Sequence, residues 1–308
     1  MVLFVLLQGN EVCSQSRVVF VDSYHEGYEW SDGITNAILK EFSQKKIDLT
    51  IIRMDSKRHT NKEFIQKAAE NAKDRILSIK PDLIIASDDN ASRYLIMPYF
   101  KNSSFPVIFC GINWDASLYG YPYQNSTGMI EVADIAKLTR YLASFTKGKR
   151  VSYLAADVLT ARKEGLYYKI QLDNDIKNVY VNNLEEWVNA YKKLQTECDI
   201  LIIGNNTGIN DWNDQKALKT VMAHTRIPTG AIYDFMTPFA LIGYIKDAGE
   251  QGEWAARAAL KVLDGIPVTD IPMSKNKRFS LVINRKIAQA AGLKLSESLV
   301  SEADILIE

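Results

Sequence analysis

The chain is poor in cysteine, with three in 308 residues, and it holds no CxxC motif and no cluster of cysteine with histidine. A structural zinc site is therefore not expected, because such sites draw on closely spaced cysteines and histidines. Cys110 and Cys198 lie in or beside apolar segments, where a free cysteine usually packs as a small hydrophobic residue. A disulfide between them is not expected if the two halves of the chain form separate lobes.

An excess of charge of one sign is also missing, since 37 basic residues balance 37 acidic ones. A neutral chain gives no support to the binding of nucleic acid or of an anionic membrane surface. No apolar run approaches the roughly 18 residues of a membrane-spanning helix. With 47% hydrophobic and 24% charged residues, the chain has an ordinary globular composition and is long enough for two domains.

The sequence also lacks the signatures of several common enzyme classes. It contains no GxSxG, no HExxH and no P-loop motif. The first apolar run leads into Asp22-Ser23-Tyr24 and not into a GxGxxG turn, which disfavours a dinucleotide-dependent enzyme.

Five short apolar runs that each end in a polar cluster are the most informative feature that the chain does have. They are Val18–Val21, Leu83–Ala86, Val107–Cys110, Ile200–Ile203 and Gly230–Ile232. Continuous apolar runs of this length predict strands buried on both faces, as in parallel α/β sheets. Ligands of open α/β sheets bind beyond the carboxyl ends of the strands, so the polar clusters mark a candidate ligand site.

Strand and helix patterns alternate along the whole chain, which predicts mainly parallel sheets with helices on both faces. A helix is expected from Asn90 to Tyr99 after the second buried run, and a strong amphipathic helix over Glu250–Leu263. The alternation starts again after Thr127-Gly128. Two similar α/β series in tandem predict two lobes with a cleft between them.

Two motifs resemble a known family. The first is Asp22-Ser23-Tyr24-His25-x-x-Tyr28-x-Trp30-Ser31-x-Gly33, followed by Pro81-Asp82-Leu83-Ile84 and Ser87-Asp88-Asp89; the second is Leu281-Val282-Ile283-Asn284-x-x-x-Ala288-x-x-x-Gly292-Leu293. Both are similar to the ABC-transporter substrate-binding family that includes tryptophan- and tyrosine-binding proteins. The resemblance spans the chain from Arg17 to Leu295.

The resemblance implies the type I periplasmic-binding-protein fold, with two Rossmann-like lobes of parallel sheet joined by three crossovers. The crossovers are expected near Ser126–Ile130, Tyr233–Pro238 and Pro267–Pro272. The N-terminal lobe would then comprise residues 17–125 with 235–266, and the C-terminal lobe residues 126–234 with 267–308. Residues 1–16, with an apolar stretch and a polar one but no basic start, are interpreted as a leader or a disordered N-terminus. The family implies a periplasmic or otherwise extracytoplasmic protein.

The candidate ligand-binding residues of the N-terminal lobe follow its first, second and third buried runs. They are Ser23, Tyr24, His25, Tyr28, Trp30, Ser87, Asp88, Asn90, Asn113 and Trp114. The aromatic rings could hold a flat or apolar ligand, and the serine and the backbone N–H groups near Ser87 could hold an anion. The alternatives are plain helix capping for Ser87 to Asn90, a turn for Asn113, and loop anchoring for the two aromatic residues Tyr28 and Trp30.

The candidates of the C-terminal lobe lie at the expected hinges and at the ends of its strands. They are Glu131, Asp157, Asn205, Asn206, Tyr233 and Asp234. A hinge carboxylate at Glu131 or Asp234 would suit a ligand amine or hydroxyl; the alternative for each is a cap or a surface ion pair. Asn205 and Asn206 also fit a simple turn.

We therefore expect a solute-binding protein of an ABC-type transport system, which binds a small amino-acid-like or aromatic ligand in the interlobe cleft with closure of the lobes. The expected partners are the small molecule and an ABC permease or membrane sensor, and the expected state is a monomer. No catalysis, metal or cofactor is expected. The alternatives are a ligand-sensing domain that feeds a signalling partner, and a hydrolytic enzyme that uses His25 and Asp88.

Overall fold

The computed structural model describes residues 15–173 and 176–308, and the chain divides into two compact units. Of the described residues, unit 1 holds those up to Ile130 together with Ala248–Lys275, and unit 2 holds those of Glu131–Asp247 together with Asn276–Glu308. The chain therefore crosses between the units three times.

The strands and helices alternate as the sequence pattern predicts. The strands are β1 (Ser16–Asp22), β2 (Ile47–Arg53), β3 (Leu83–Ser87), β4 (Val107–Asn113), β5 (Ser126–Glu131), β6 (Val151–Ala156), β7 (Ile176–Val181), β8 (Ile200–Ile203), β9 (Thr229–Ala231), β10 (Ile242–Lys246), β11 (Ser274–Lys275), β12 (Phe279–Asn284) and β13 (Ile305–Ile307). The α-helices are α1 (Glu29–Phe42), α2 (Lys62–Ile79), α3 (Asp88–Ala91), α4 (Ile135–Ala143), α5 (Leu159–Gln171), α6 (Leu184–Glu197), α7 (Asp214–His224), α8 (Ala248–Leu263), α9 (Arg285–Ala291) and α10 (Glu297–Glu302). Three 3₁₀ segments cover Ala116–Tyr119, Asp234–Phe239 and Val268–Asp270, and Ser92–Phe100 is π-helical.

Unit 1 is built on a six-stranded sheet in the order β11-β5-β4-β3-β1-β2. The pairs β1–β2, β1–β3, β3–β4 and β5–β11 are parallel. Successive residues of β1 alternate between two cores: Val19 and Val21 pack in the core that includes α2, and Val18 and Phe20 in the core that includes α1 and α8. This burial on both faces explains the continuous apolar run.

Local signals set the bounds of the helices in unit 1. Asn61 caps α2 by accepting hydrogen bonds from the backbone N–H groups of Glu63 and Phe64. The helix ends where Lys80 takes a left-handed φ of 51° and Pro81 follows. Close packing of α1 on α8 depends on Gly252, since a Cβ there would lie 2.2 Å from the carbonyl oxygen of Ile34.

Unit 2 is built on a seven-stranded sheet in the order β13-β12-β10-β9-β8-β6-β7. All of its strand pairs are parallel except β10–β12, which is antiparallel. Its core contains large aromatic side chains that are fully buried, among them Trp187, Tyr153, Tyr168 and Tyr191. Both units therefore have the α/β architecture with parallel sheets that the alternation predicts.

Several boundaries differ from the sequence analysis. Residues 235–247, expected in the N-terminal lobe, belong to unit 2 because β10 pairs with β9 and β12. The second crossover therefore follows Asp247, the first follows Ile130 and the third follows Lys275. Residues 267–275, expected in the C-terminal lobe, belong to unit 1, where β11 pairs with β5.

The helical segment after β3 also differs from the expectation. The helix expected from Asn90 begins earlier, at Asp88, and continues from Ser92 as a π-helical segment that contains Pro98. Residues 1–14, which hold most of the expected leader, lie outside the described residues, whereas Ser16 already starts β1. In the two described ranges of the chain, no helix combines the length and the apolar character that crossing a bilayer requires.

Candidate functional site

The carboxyl ends of β1, β3 and β4 lie side by side in unit 1. Asp22 at the end of β1 is in register with Ser87 at the end of β3, and Ser87 is in register with Cys110 of β4. The loops that follow the three strands therefore start at one edge of the sheet. This edge, which we call the unit 1 carboxyl edge, brings together the predicted residues from Ser23 to Trp30, from Ser87 to Asn90, and Asn113 with Trp114.

Ser23 joins the first two loops through hydrogen bonds. Its Oγ donates to the carbonyl oxygen of Ser87 at 2.6 Å and accepts from the backbone N–H of Ala91 at 2.8 Å. Ser56 Oγ donates to the carbonyl of Ser23 at 2.6 Å, and Asn90 Nδ2 donates to Ser56 Oγ at 2.8 Å. The side chains of Ser23 and Asn90 are therefore engaged in holding the loops.

Ser87 is different. Its side chain is fully buried, and among the described residues its Oγ has no hydrogen-bond partner. A buried hydroxyl without a partner is costly, so a ligand polar atom that reached it would gain affinity. Of the serines predicted here as ligand contacts, Ser87 keeps the stronger case.

Asp88 connects the loop after β3 with the aromatic loop after β1. Trp30 Nε1 donates a hydrogen bond to Asp88 Oδ1 at 3.2 Å. Asp88 has a left-handed φ of 69°, and it lies against Gly111, where a Cβ would come within 3.0 Å of Asp88 Oδ1. Trp30 thus anchors the loop through its N–H, which was the alternative reading of this residue in the sequence analysis.

Asp89 connects the loops after β3 and β4. It accepts hydrogen bonds from Asn113 Nδ2 at 3.0 Å and from the hydroxyl of Tyr119 at 2.7 Å. Burial and the charge of Asp89 raise the pKa of Tyr119 well above its usual range. Sequence reasoning missed Tyr119, because nothing in its local pattern indicates that the 3₁₀ segment returns it to Asp89.

Two rings of the aromatic loop after β1 lie next to a lysine. The rings of Tyr24 and Tyr28 meet edge to face with centroids 5.2 Å apart. Lys57 Nζ lies 5.1 Å from the centroid of Tyr24 and 4.9 Å from that of Tyr28. His25 Nδ1 lies 3.6 Å from Asp55 Oδ1. Lys57 and Asp55, from the segment after β2, therefore belong to the site although the sequence analysis did not select them.

The pKa values of two aspartates at this edge are shifted in opposite directions. Asp22 is fully buried, and burial raises its pKa although Tyr24 N–H and Ser31 Oγ donate to it at 2.9 and 2.8 Å. Asp55 is half-buried, and the hydrogen bond from Arg58 holds its pKa below the usual range.

Three non-glycine residues with left-handed backbone conformations lie at the same edge. Asp55, Asp88 and Trp114 all have φ between 53° and 69°, in the left-handed region that non-glycine residues avoid. Each such residue costs about 1 kcal/mol or more, and such costs persist mainly at functional sites. Three of them lie just past strands of the same parallel sheet, which is consistent with a functional role for this edge.

Unit 2 has its own carboxyl edge, at the ends of β6, β8, β9 and β10. There Glu164 is fully buried and accepts hydrogen bonds from the hydroxyls of Tyr153, at 2.7 Å, and Tyr233. Lys246 forms a buried ion pair with Glu131, and its Nζ lies 5.2 Å from the ring centroid of Tyr233. Burial raises the pKa of Glu164 despite the two tyrosine donors and the nearby lysine.

The other predicted residues of unit 2 are less distinctive. Asp157 is bound by Arg162 at 2.6 and 2.8 Å, which holds the pKa of Asp157 low. Asn205 Oδ1 accepts from the N–H of Thr207 at 2.7 Å, which is the turn that was its alternative reading. Asn206 is half-buried, and Asp234 is exposed at the start of the 3₁₀ segment. Glu131 and Tyr233 both take part in the buried network, and sequence reasoning missed Glu164 and Lys246 as their partners.

No group of three or more histidine, cysteine, aspartate or glutamate side chains in the described parts of the chain is arranged to hold a metal ion. The hydrogen bonds above join these polar groups to one another and to aromatic rings. Such an arrangement suits the recognition of a small organic molecule with polar and flat parts.

A family model described as "ABC transporter substrate binding protein" matches residues 18–307. The chain belongs to this family. The match confirms the family resemblance read from the two motifs, and it makes the protein a substrate-binding protein by descent. Against curated protein sequences, this substrate-binding protein has no significant match.

Solved structures show the same fold. A Streptococcus pneumoniae ABC domain in complex with L-Trp is 16% identical with a TM-score of 0.65, covering 96% of this chain and 100% of the other. A ligand-free, open substrate-binding protein with adhesive properties from Clostridium difficile is 16% identical with a TM-score of 0.72, covering 95% and 99%. A solute-binding protein from Bacillus halodurans with bound myo-inositol is 14% identical with a TM-score of 0.56, covering 91% and 98%. The substrate-binding protein therefore has the predicted fold class, two Rossmann-like lobes of the type I periplasmic-binding-protein kind.

Proposed function

We propose that this substrate-binding protein captures a small amino-acid-like or aromatic solute outside the cytoplasm and delivers it to an ABC permease, without chemical change. The observation that carries the proposal is the unit 1 carboxyl edge. The loops after β1, β2 and β3 bring Tyr24, Tyr28, Trp30 and Lys57 to this edge, where the Ser87 hydroxyl is buried without a partner among the described residues. Aromatic rings together with a few polar groups suit the binding of a flat, polar solute.

The neighbours support the general class. One binds L-Trp and another myo-inositol, so proteins of this fold hold small polar solutes of different kinds. The aromatic content of the loop after β1 favours an aromatic solute over a polyol for this chain. Extracytoplasmic placement rests on the family, whose members work outside the cytoplasmic membrane.

The hydrolytic alternative has weak support in the geometry. It would need His25 and Asp88 to act on the same substrate atom. His25 instead faces Asp55 at 3.6 Å, and Asp88 accepts a hydrogen bond from Trp30. The sensor alternative differs in the partner and not in the site, because both roles begin with binding of a small solute.

The test is a thermal-shift screen of the full chain against amino acids, aromatic metabolites, nucleosides and sugars. Ligand at about 100 times its dissociation constant should stabilise the protein by roughly 2.7 kcal/mol, which raises the melting temperature by several degrees. We expect a shift with at least one aromatic solute, and recovery of that solute unchanged after long incubation. A panel without any shift would contradict the proposed binding function, and consumption of the solute would contradict a role without catalysis.

A further inference from the structure

A pair of stacked aromatic rings follows β9 in unit 2. The rings of Tyr233 and Phe235 are stacked with centroids 5.3 Å apart and an interplanar angle of 27°. Phe235 is 41% exposed, and it sits where a carboxyl-edge loop leaves a parallel strand. An exposed large aromatic side chain is ordinary on its own. Phe235 is unusual because the ring on which it stacks, Tyr233, is held by further contacts.

Tyr233 is fixed at its hydroxyl and on its ring. The hydroxyl donates to the carboxylate of Glu164, a residue with no exposed surface. Lys246 Nζ lies 5.2 Å from the Tyr233 centroid, and Lys246 is itself held by its ion pair with Glu131. Phe235 therefore stacks on a ring that is held at two points, which restricts the motion of the surface against which Phe235 packs.

A contribution to stability does not by itself explain why Tyr233 is held by a buried network of ionisable groups. Burial of the carboxyl groups of Glu131 and Glu164 and of the ammonium of Lys246 requires desolvation of three ionisable groups. Apolar residues of similar volume would often be as stable or more so. A network that is costly for stability, and that ends at an exposed ring on the ligand-binding edge of an α/β sheet, points to a positioning role.

We propose that Phe235 is a specificity-determining residue that stacks on a flat, unsaturated ring of the solute, with Tyr233, Glu164 and Lys246 as its positioning residues. The inference rests on the proposed solute-binding function and narrows it, because an aromatic or conjugated ring gains more from stacking on Phe235 than a saturated solute does. A ring that is already ordered loses little entropy on binding, so the stacking energy is kept as affinity.

The first experiment compares Phe235→Leu with wild type by isothermal titration of the full chain. The probes are L-tryptophan and L-tyrosine as flat solutes, and L-leucine and myo-inositol as saturated ones. Wild type is expected to bind a flat probe, and Phe235→Leu to weaken that binding by about tenfold, the magnitude of a lost aromatic stack together with its buried area. Affinity for any saturated probe that binds is expected to stay within twofold, so the ratio of the two affinities is the readout.

The matched control is Tyr99→Leu in unit 1. Tyr99 is also 41% exposed, and it lies near the end of the π-helical segment of unit 1. This variant should leave the affinities for all four probes unchanged. An equal loss in Tyr99→Leu would show that removal of any exposed ring weakens binding, and it would overturn the assignment to Phe235.

The positioning residues are tested by rescue. Glu164→Gln keeps an acceptor for the Tyr233 hydroxyl, and we expect it to retain the preference for flat probes. Glu164→Ala removes the acceptor, and we expect it to lose most of that preference while a saturated probe binds as before. If both variants keep the wild-type ratio, Glu164 has only a structural role and the positioning part of the proposal is wrong.

The outcomes separate this inference from the proposed function. Wild-type binding confined to saturated solutes, or an unchanged affinity for flat probes in Phe235→Leu, overturns the role of Phe235 and leaves solute binding intact. Absence of binding to every solute of the wider panel overturns solute binding itself.

Discussion

Most of the polar side chains predicted to contact ligand already have partners within their own unit. Asn113 donates to Asp89, Asn205 closes a turn, and Glu131 pairs with Lys246. The loops of Asn113 and Asn205 could be recognised from the sequence, because each follows a buried apolar run, and Glu131 could be selected from its place at the expected first hinge. Their partners could not, because Asp89 and Lys246 are distant in sequence from the residues that they bind.

Trp30 and Asp234 test the site assignment at single residues. Trp30→Ala removes the indole and its hydrogen bond to Asp88, and Asp234→Ala removes an exposed carboxylate beside Tyr233. We expect each to weaken binding of the best solute of the panel by about tenfold, because Trp30 anchors the aromatic loop to Asp88 and Asp234 is a proposed contact of the solute. Titration calorimetry measures the change, with Tyr99→Leu as the control. Unchanged affinity in both variants would show that the site has been assigned to the wrong residues.

The raised pKa of Glu164 predicts how the free energy of unfolding depends on pH. Burial raises its pKa above the ordinary 4.5, so the folded protein holds this proton at pH values at which the unfolded chain has released it. The contribution of Glu164 to stability therefore falls as pH rises from 4.5 to the raised pKa, and then stays constant. Glu164→Gln does not titrate, so its free energy of unfolding should rise relative to that of wild type over that interval.

Urea unfolding of both proteins at a series of pH values measures this difference. Comparison with Glu164→Gln cancels the contributions of other groups, including Asp22, whose pKa is raised as well. A difference that does not vary with pH would mean that Glu164 titrates normally in the folded protein.

Most elements with an apolar or amphipathic pattern were predicted, including the three-residue strand β9, whereas β10, β11 and β13 were not. The buried strands β1, β3, β4 and β8 and the helix α8 were found from their own sequences. The strands β11 and β13 are two and three residues long and exist through pairing with β5 and β12. A segment of that length carries no periodicity of its own, so only the tertiary structure defines it.

Strand β10 was not predicted from the sequence. Because it belongs to unit 2, the second crossover lies later in the chain than expected. Its last residue, Lys246, lies next to that crossover, and its partner Glu131 is the first residue of unit 2 after the first crossover. Near the third crossover, Asn276 Oδ1 accepts from the N–H of Val132 at 2.7 Å. Within unit 2, all three crossover ends are therefore fastened to one another.

The buried pair of Glu131 with Lys246 is best tested by a double-mutant cycle. Either Glu131→Gln or Lys246→Met alone breaks the buried ion pair and should destabilise the protein by about 3 kcal/mol or more. The double variant should be less destabilised than the sum of the two, because neither charge remains. Denaturant unfolding gives the three values, and the exposed pair Lys177–Glu197 provides a control with an effect below about 1 kcal/mol. Additive effects of Glu131 and Lys246 would mean that the two do not act as a pair.

For the whole molecule, the sequence predicted the two α/β units and the family. The chemical class of the ligand is proposed from the side chains at the carboxyl edges. The tandem repetition of strand and helix carried the architecture, and the two motifs carried the family. Ligand identity depends on which side chains of each carboxyl edge remain available, and that depends on long-range hydrogen bonds. Lobe closure around the ligand remains a prediction of the sequence analysis.

Closure can be measured by small-angle X-ray scattering of the full chain with and without its best solute. A ligand that binds the closed state better than the open one shifts the population toward closure. The radius of gyration should therefore fall on saturation with that solute, and a non-binding solute of similar size should leave it unchanged. An identical radius in both conditions, with binding confirmed on the same sample, would contradict closure.

The central claim, that this family member binds a small flat solute without altering it, is tested most directly by titration calorimetry of the full chain with aromatic amino acids, followed by recovery of the solute. We predict saturable binding of one solute per chain and complete recovery of the unchanged molecule. Absence of saturable heat with every aromatic solute, or recovery of a chemically altered product, would contradict the claim.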